Sequence, residues 1–225
     1  VEMARAAVKD IWARNKLPIV VGGTGLYLSN LMKPVGTLMI LPNKKLREEL
    51  GRLTVIQLQK RLRWADEKKW ISMNRSDQLN PRRLIRAIEV AKIPYRDSPF
   101  KEYPFKVALW VGLRTDKDRL YEIINLRVEQ RAGGSMGREV KRLMQLYPIW
   151  EKLPALTATG YGEWRQYLEG KLTYDQAVNL WQQAEHQYAK RQLVWFKKQT
   201  QIHWFDINAK DWHNQARLLV RQWYG

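Results

Sequence analysis

The sequence predicts an α/β protein with a parallel sheet, a helical insertion and a helix-rich C-terminal part. Three observations carry this. Ile19, Val20 and Val21 form an unbroken β-branched run, the pattern of a parallel strand buried on both faces. The turn Gly22-Gly23-Thr24-Gly25 joins that run to an apolar pattern at helical spacing, and Phe105–Leu113 and Ile202–Ile207 read as later strands. Residues 40–79, by contrast, contain no strand-like run and are rich in Lys, Arg and Trp. The expected division is residues 1–39 and 80–225 for the α/β core and 40–79 for the insertion.

Taken in order, residues 2–15 read as a helix with Met3, Ala6, Ala7 and Ile11 on one face. The chain opens inside this pattern, so the expectation is that the protein's start lies upstream of Val1. In open α/β sheets a turn such as 22–25 lies at the carboxyl end of its strand, where ligands bind. Gly22 and Gly23 let another molecule approach the backbone closely, and Thr24 offers the turn's one hydroxyl; the same glycines equally suit a plain turn. No Gly-Lys-Ser/Thr follows, so this is not a Walker loop. After the Leu26–Met32 helix, Asn43 is placed to cap Lys44–Leu50, and Val55–Trp64 follows with Ile56, Leu58 and Leu62 apolar. Asn80-Pro81 then opens a helix with Leu84, Ala87, Ile88 and Ala91 on one face and Arg82, Arg83 and Arg86 on the other. Those arginines suit either a solvated face or contact with a polyanion.

Thr115 with Asp118 reads as a capping box for Lys117–Arg131, with Leu120, Ile123, Ile124 and Val128 as the buried stripe. Arg127 falls in the middle of that stripe. A buried guanidinium needs a paired anion, which is either a core carboxylate or a phosphate in the site. Helical patterns continue at Arg138–Leu146 and Glu163–Glu169, the latter stopped by Gly170. Thr173 and Gln176 cap a long helix reaching about Lys198, with Ala177, Leu180, Trp181, Ala184 and Tyr188 as its inner face. Lys190, Arg191, Lys197 and Lys198 cluster on it beside Trp195, and Asp211–Trp223 forms a last helix.

Forty Lys and Arg against 22 Asp and Glu leave a net charge of +18. Such an imbalance points to a polyanion partner, most often nucleic acid, and eleven Trp with ten Tyr add stacking surface. The absence of cysteine excludes disulfides, thiolate zinc sites and cysteine nucleophiles. There is no long uncharged apolar run, signal peptide or lipidation motif, so a cytoplasmic protein without a membrane partner is expected. His186, His203 and His213 lack metal-ligand spacing, and no metal site is expected within these residues. No Ser-His-Asp arrangement, carboxylate pair or obvious general base stands out.

Four stretches, in this order and spacing, resemble the tRNA dimethylallyltransferases (tRNA isopentenyl transferases). They are Pro18–Leu28 (PIVVGGTGLYL); Asp77 with Asn80–Val90 (NPRRLIRAIEV); Gly160-Tyr161 with Tyr167–Gly170; and Tyr188–Gln192 with Trp195-Phe196. The resemblance covers nearly the whole chain. It implies a P-loop-NTPase-like core whose helical insertion grips a tRNA anticodon stem-loop. The implied reaction moves a dimethylallyl group from dimethylallyl diphosphate to N6 of the adenosine 3′ of the anticodon. An exocyclic amine needs a base to take its proton, the diphosphate leaves when cations and N–H groups take up its charge, and the adenine must be flipped out of its loop. By resemblance, Thr24 and Arg127 are catalytic, with Arg127 facing the diphosphate. Arg82, Arg83, Arg86, Thr159, Gly160, Tyr161, Lys190, Arg191, Gln192, Trp195 and Lys197 would contact tRNA.

The family's P-loop and Asp-Ser-x-Gln segment, with the Mg²⁺ ligands, are expected before Val1. Residues 1–225 alone are therefore expected not to catalyse transfer, and a monomer is expected. Arg131, Ser135, Met136, Gly162 and Val194 depart from the family pattern. Two other readings remain: transfer to free adenine nucleotides, which would not need the basic insertion, and a non-catalytic basic RNA-binding protein.

Overall fold

The computed structural model describes residues 1–32, 37, 40–93, 107–150 and 153–225. The chain divides into two compact units, Val1–Val21 with Leu26–Lys106, and Gly22–Gly25 with Val107–Gly225.

The first unit is helical. Helix α1 spans Glu2–Ala13 and α2 spans Gly25–Met32, Gly25 itself belonging to the second unit. Arg5 of α1 is buried and donates from Nη2 to the Asn30 carbonyl at 2.9 Å. Asn43 caps α3 (Lys44–Gly51), accepting from the Leu46 N–H, while Thr54 and Gln57 form a reciprocal capping box on α4 (Val55–Ala65). Two short helices, α5 (Glu67–Ser72) and α6 (Arg75–Gln78), precede α7 (Pro81–Ala91), which Asn80 caps and Pro81 opens. Side-chain caps supply acceptors for the orphan N–H groups of a helix start, which is why these boundaries fall where they do.

Leu46, Leu50, Leu58, Leu62, Met73, Leu84, Ala87 and Ile88 form one core. The expected boundary at residue 79 therefore cuts through a packed cluster, since α7 supplies three of its members. Glu89 is also inside, 1% exposed, and accepts from Arg47 Nε and Nη2 (3.0 and 2.8 Å), Arg86 Nη1 (2.5 Å) and the Asn43 N–H (2.6 Å). Burial alone would raise its carboxyl; the hydrogen bonds from Arg47, Arg86 and Asn43 outweigh that and hold it at about 2.

Ile19, Val20 and Val21 do not form a strand, and they are 79%, 48% and 91% exposed. A strand exists only through hydrogen bonds to neighbours, and the sheet among the described residues pairs two other segments. The β-branched run is thus present without the partners that would make it a buried strand.

In the second unit, β1 (Trp110–Arg114) is followed by the helices α8 (Lys117–Ala132), α9 (Met136–Leu146), α10 (Tyr161–Leu168) and α11 (Tyr174–Phe196). Then come β2 (Ile202–Asp206) and α12 (Trp212–Tyr224). β1 and β2 are parallel, Trp110 opposite Ile202 and Arg114 opposite Asp206, so the intervening helices form the long crossover that parallel pairing demands. Of the longer run expected as a strand, Phe105 and Lys106 lie outside the described residues and Val107–Leu109 are not strand. β1 is not covered on both faces either: Val111 and Leu113 are 42% and 54% exposed. Among the described residues the fold is α/β in this sense, a two-stranded parallel sheet among many helices.

Asp116 caps α8, accepting from the Arg119 N–H at 2.8 Å, so the cap lies one residue after the expected Thr115. Asn208, just past β2, donates to Thr115 Oγ1 and Asp116 Oδ2 and ties the two strand ends together. The Arg119 N–H, with Asn208 behind it, holds the Asp116 carboxyl below its ordinary range. The core joins Ile124, Val128 and Ala132 of α8 to Met136 and Val140 of α9, Trp164 of α10, and Ala177, Val178 and Trp181 of α11. Trp164 meets Tyr167, Tyr174 and Trp181 edge-on at 5.3, 5.5 and 6.0 Å, favourable quadrupole geometry. The inner face of α11 differs from the expected one. Val178 and Glu185 are buried with Ala177 and Trp181, whereas Leu180 and Tyr188 are 42% and 37% exposed.

Candidate active site

Helix α11 builds the site. Its start is fixed by the Thr173–Gln176 capping box, which sets the azimuth of every later residue. Trp181, Glu185, Tyr188, Gln192 and Trp195 recur at steps of four, three, four and three, and so lie on one face. That face runs ~21 Å along the helix at 1.5 Å per residue.

Each position meets a different partner. Trp181 is fully buried and packs against Gly160, whose φ is +93°. Glu185 accepts from Thr159 Oγ1 at 2.8 Å and Trp181 Nε1 at 3.3 Å, and pairs with Arg127 at 3.5 Å. The Tyr188 hydroxyl lies 3.3 Å from Thr24 Oγ1, and Gln192 Nε2 donates to the Gly23 carbonyl at 2.9 Å. Trp195 covers Gly25 so closely that a Cβ there would run into the indole; a Cβ at Gly23 would likewise meet the Gln192 amide. Gly22 has open space at its Cβ position, whereas Gly23 and Gly25 are required by what seals them. Thr24 remains exposed between them, a hydroxyl held by Tyr188 and open to a ligand.

Arg127 departs from expectation. Its side chain is 58% exposed, as is Ile123 in part (39%), because the buried line of α8 runs through Ile124 and Val128 one position away. One residue is a 100° rotation on a helix. The guanidinium thus rests against buried Glu185 while more than half of the side chain's surface is exposed.

The other expected residues fall into three kinds of surroundings. Lys190, Arg191 and Lys197 are exposed and have no acidic partner among the described residues; Arg191 lies 5.8 Å from the Tyr188 ring. Tyr161 turns to Glu139, donating its hydroxyl at 2.6 Å, and that bond with burial raises the phenol's titration. In the first unit, Arg82 is exposed, Arg83 pairs with Asp77, and Arg86 is turned inward. Arg86 donates to Glu89 and to the Thr37 and Ile40 carbonyls at 2.6 and 2.8 Å, so it is not a free cation on the helix surface. Sequence reasoning took Tyr188 for core and did not find Glu185; the four-three spacing from Trp181 to Trp195 was the signal for both. Among the described residues no group of three or more His, Asp or Glu stands together as a metal site. No helix of the described residues is long and apolar enough to cross a membrane.

Comparison with known proteins gives a consistent result. A family model described as IPP transferase matches residues 1–199. The tRNA dimethylallyltransferase of an Exiguobacterium species is 37% identical over 93% of this chain and 67% of its own length. That of Thermomicrobium roseum is 32% identical over 97% of this chain and 68% of its own. Among solved structures, the tRNA isopentenylpyrophosphate transferase of Bacillus halodurans is 30% identical with a TM-score of 0.59, over 91% of this chain and 65% of that one. The Staphylococcus epidermidis tRNA delta(2)-isopentenylpyrophosphate transferase is 28% identical with a TM-score of 0.61, covering 98% and 73%. The chain spans about two thirds of the length of these relatives. It belongs to the IPP transferase family.

Proposed function

We propose that this chain is the acceptor-positioning and tRNA-binding part of a tRNA dimethylallyltransferase, which transfers a dimethylallyl group from its diphosphate to N6 of adenosine 37, next to the anticodon. The observation that carries the reading is the sealed glycine turn. One face of α11 closes over Gly23 and Gly25 and leaves the Thr24 hydroxyl exposed on Tyr188. In this reading Thr24 orients the adenine amine, Arg127 takes up charge on the departing diphosphate, and Lys190, Arg191, Lys197 and Arg82 hold the RNA backbone. Residues 1–225 hold no Walker-type glycine loop, and in this reading they take no part in binding Mg²⁺.

Thr24→Ala should leave the fold intact and slow single-turnover transfer roughly ten- to a hundredfold, as a hydrogen bond to an amine that gains positive charge while it attacks is worth about 1.5–3 kcal/mol. Transfer of labelled dimethylallyl to an anticodon stem-loop, by the full-length protein and by residues 1–225 alone, tests the reading. Activity is expected only in the first. Prenylation of free adenine nucleotides in preference to the stem-loop would reject the tRNA acceptor.

RNA affinity should be largely electrostatic, with log K falling against log salt by roughly 0.7 per phosphate contact. Reversing the charge of Lys190 and Lys197 together should reduce that slope, while Arg86, committed to Glu89, is expected to act on stability instead. An unchanged slope would place these lysines on a face that RNA does not touch.

A further inference from the structure

Among the described residues of the second unit, Glu185 is the buried ionisable side chain. Nothing in the transfer reaction as described above uses it. Its position is fixed by two neutral donors from different places in the fold, Thr159 Oγ1 and Trp181 Nε1, both on Oε1. The second oxygen, Oε2, faces Arg127 Nη2 at 3.5 Å. The pair is lopsided: the acid side chain is 9% exposed and the arginine 58%. Arg127 keeps more of its surface in water than Arg47 or Arg86 does over Glu89, 58% against 42% and 30%. Here a fixed anion touches one nitrogen of a group that has five N–H donors in a planar fork. The contact restrains the arginine and leaves its outer edge free. Glu185 also stands three residues before Tyr188, so one face of α11 sets both the arginine and the Thr24 hydroxyl.

We propose that Glu185 is the positioning residue for Arg127, holding the guanidinium by its inner nitrogen so that its outer edge meets the diphosphate leaving group. The proposal rests on the diphosphate-facing reading of Arg127. Glu185→Gln keeps an acceptor for Thr159 and Trp181 while removing the charge that holds the arginine.

The test is a double-mutant cycle of Glu185→Gln and Arg127→Ala in the full-length protein, read by single-turnover transfer to an anticodon stem-loop. Glu185→Gln should lower kcat about tenfold and leave KM for the stem-loop unchanged, the pattern of a group acting through orientation. In the Arg127→Ala background the same change should have no further effect. A second readout does not need transfer: the Arg127 Nε–Hε NMR resonance, assigned by its loss in Arg127→Ala, should shift in Glu185→Gln. A wild-type protein that transfers nothing would sink the function proposed above, whereas an unmoved resonance would sink the anchor alone. A kcat effect that persists without Arg127, or a raised KM for the stem-loop, would show Glu185 acting through the Thr159 turn and overturn the proposal. Should Glu185→Gln unfold, Thr159→Val is the alternative, expected to shift the Arg127 resonance by loosening the carboxylate; no shift there would likewise overturn it.

Discussion

Glu89→Ala is expected to destabilise the helical unit by about 3–5 kcal/mol, the penalty for breaking a buried ion pair from one side. The carboxylate is the shared acceptor of Arg47, Arg86 and the Asn43 N–H, and its removal takes that acceptor from all three at once. Because Arg47 and Arg86 keep 42% and 30% of their side-chain surface in water, the loss should fall towards the lower figure. The same group predicts acid sensitivity. Its folded value, about 2, lies below the ordinary 4.5, so the unfolded chain binds the proton more readily. The stabilisation is fully present above about pH 4.5 and is lost as pH falls towards 2, about 3 kcal/mol in all. Urea melts of the wild type and Glu89→Gln between pH 6 and 2 check this. The variant should be less stable at pH 6 and flatter across the range; parallel curves would refute the assignment.

Gly160→Ala is the counterpart in the second unit. At φ +93° an L side chain is strained, and its Cβ would run into the indole of fully buried Trp181. Strain of about 1–3 kcal/mol and an overpacking cost of about 1–3 kcal/mol together predict a loss of about 2–6 kcal/mol. Gly170→Ala is the control, because Gly170 has φ +71° with nothing within 4 Å of its missing Cβ. It should show the backbone part only. Thermal melts of both variants separate the two contributions, and equal losses would mean that Trp181 yields without cost.

Features set by neighbours in sequence were legible. Asn43, Asn80 and the Thr173–Gln176 box stand as helix starts in the structure, because a cap is a contact over two or three residues. What depends on distant partners was not. Ile19–Val21 has the composition of a buried strand, yet no composition supplies its neighbours. Glu89 and Glu185 sit in helices where a carboxylate usually faces water, and the donors gathered around them, an arginine among each set, make burial tolerable. Ile123 drew the stripe of α8 one position off, and Arg127 moved with it from inside to half-exposed. Within the candidate site, Gln192 and Trp195 were named by resemblance, and Thr24 also as the turn's one hydroxyl. That they meet was not evident, since 164 residues separate Thr24 from Tyr188.

The fit of Trp195 over Gly25 also constrains how such a sequence can change over time. Any side chain at position 25 collides with the indole, so a larger residue there is open only to a lineage that has first shrunk position 195. The reverse order is open at once, because trimming the tryptophan leaves a gap and no clash. Substitutions at the two sites should therefore accumulate in one direction: relatives with a small residue at 195 and Gly at 25 are permitted, and relatives with Trp at 195 and a bulky residue at 25 are not. Gly23 and Gln192 should show a weaker form of the same rule, since a flexible amide can swing aside where a ring cannot.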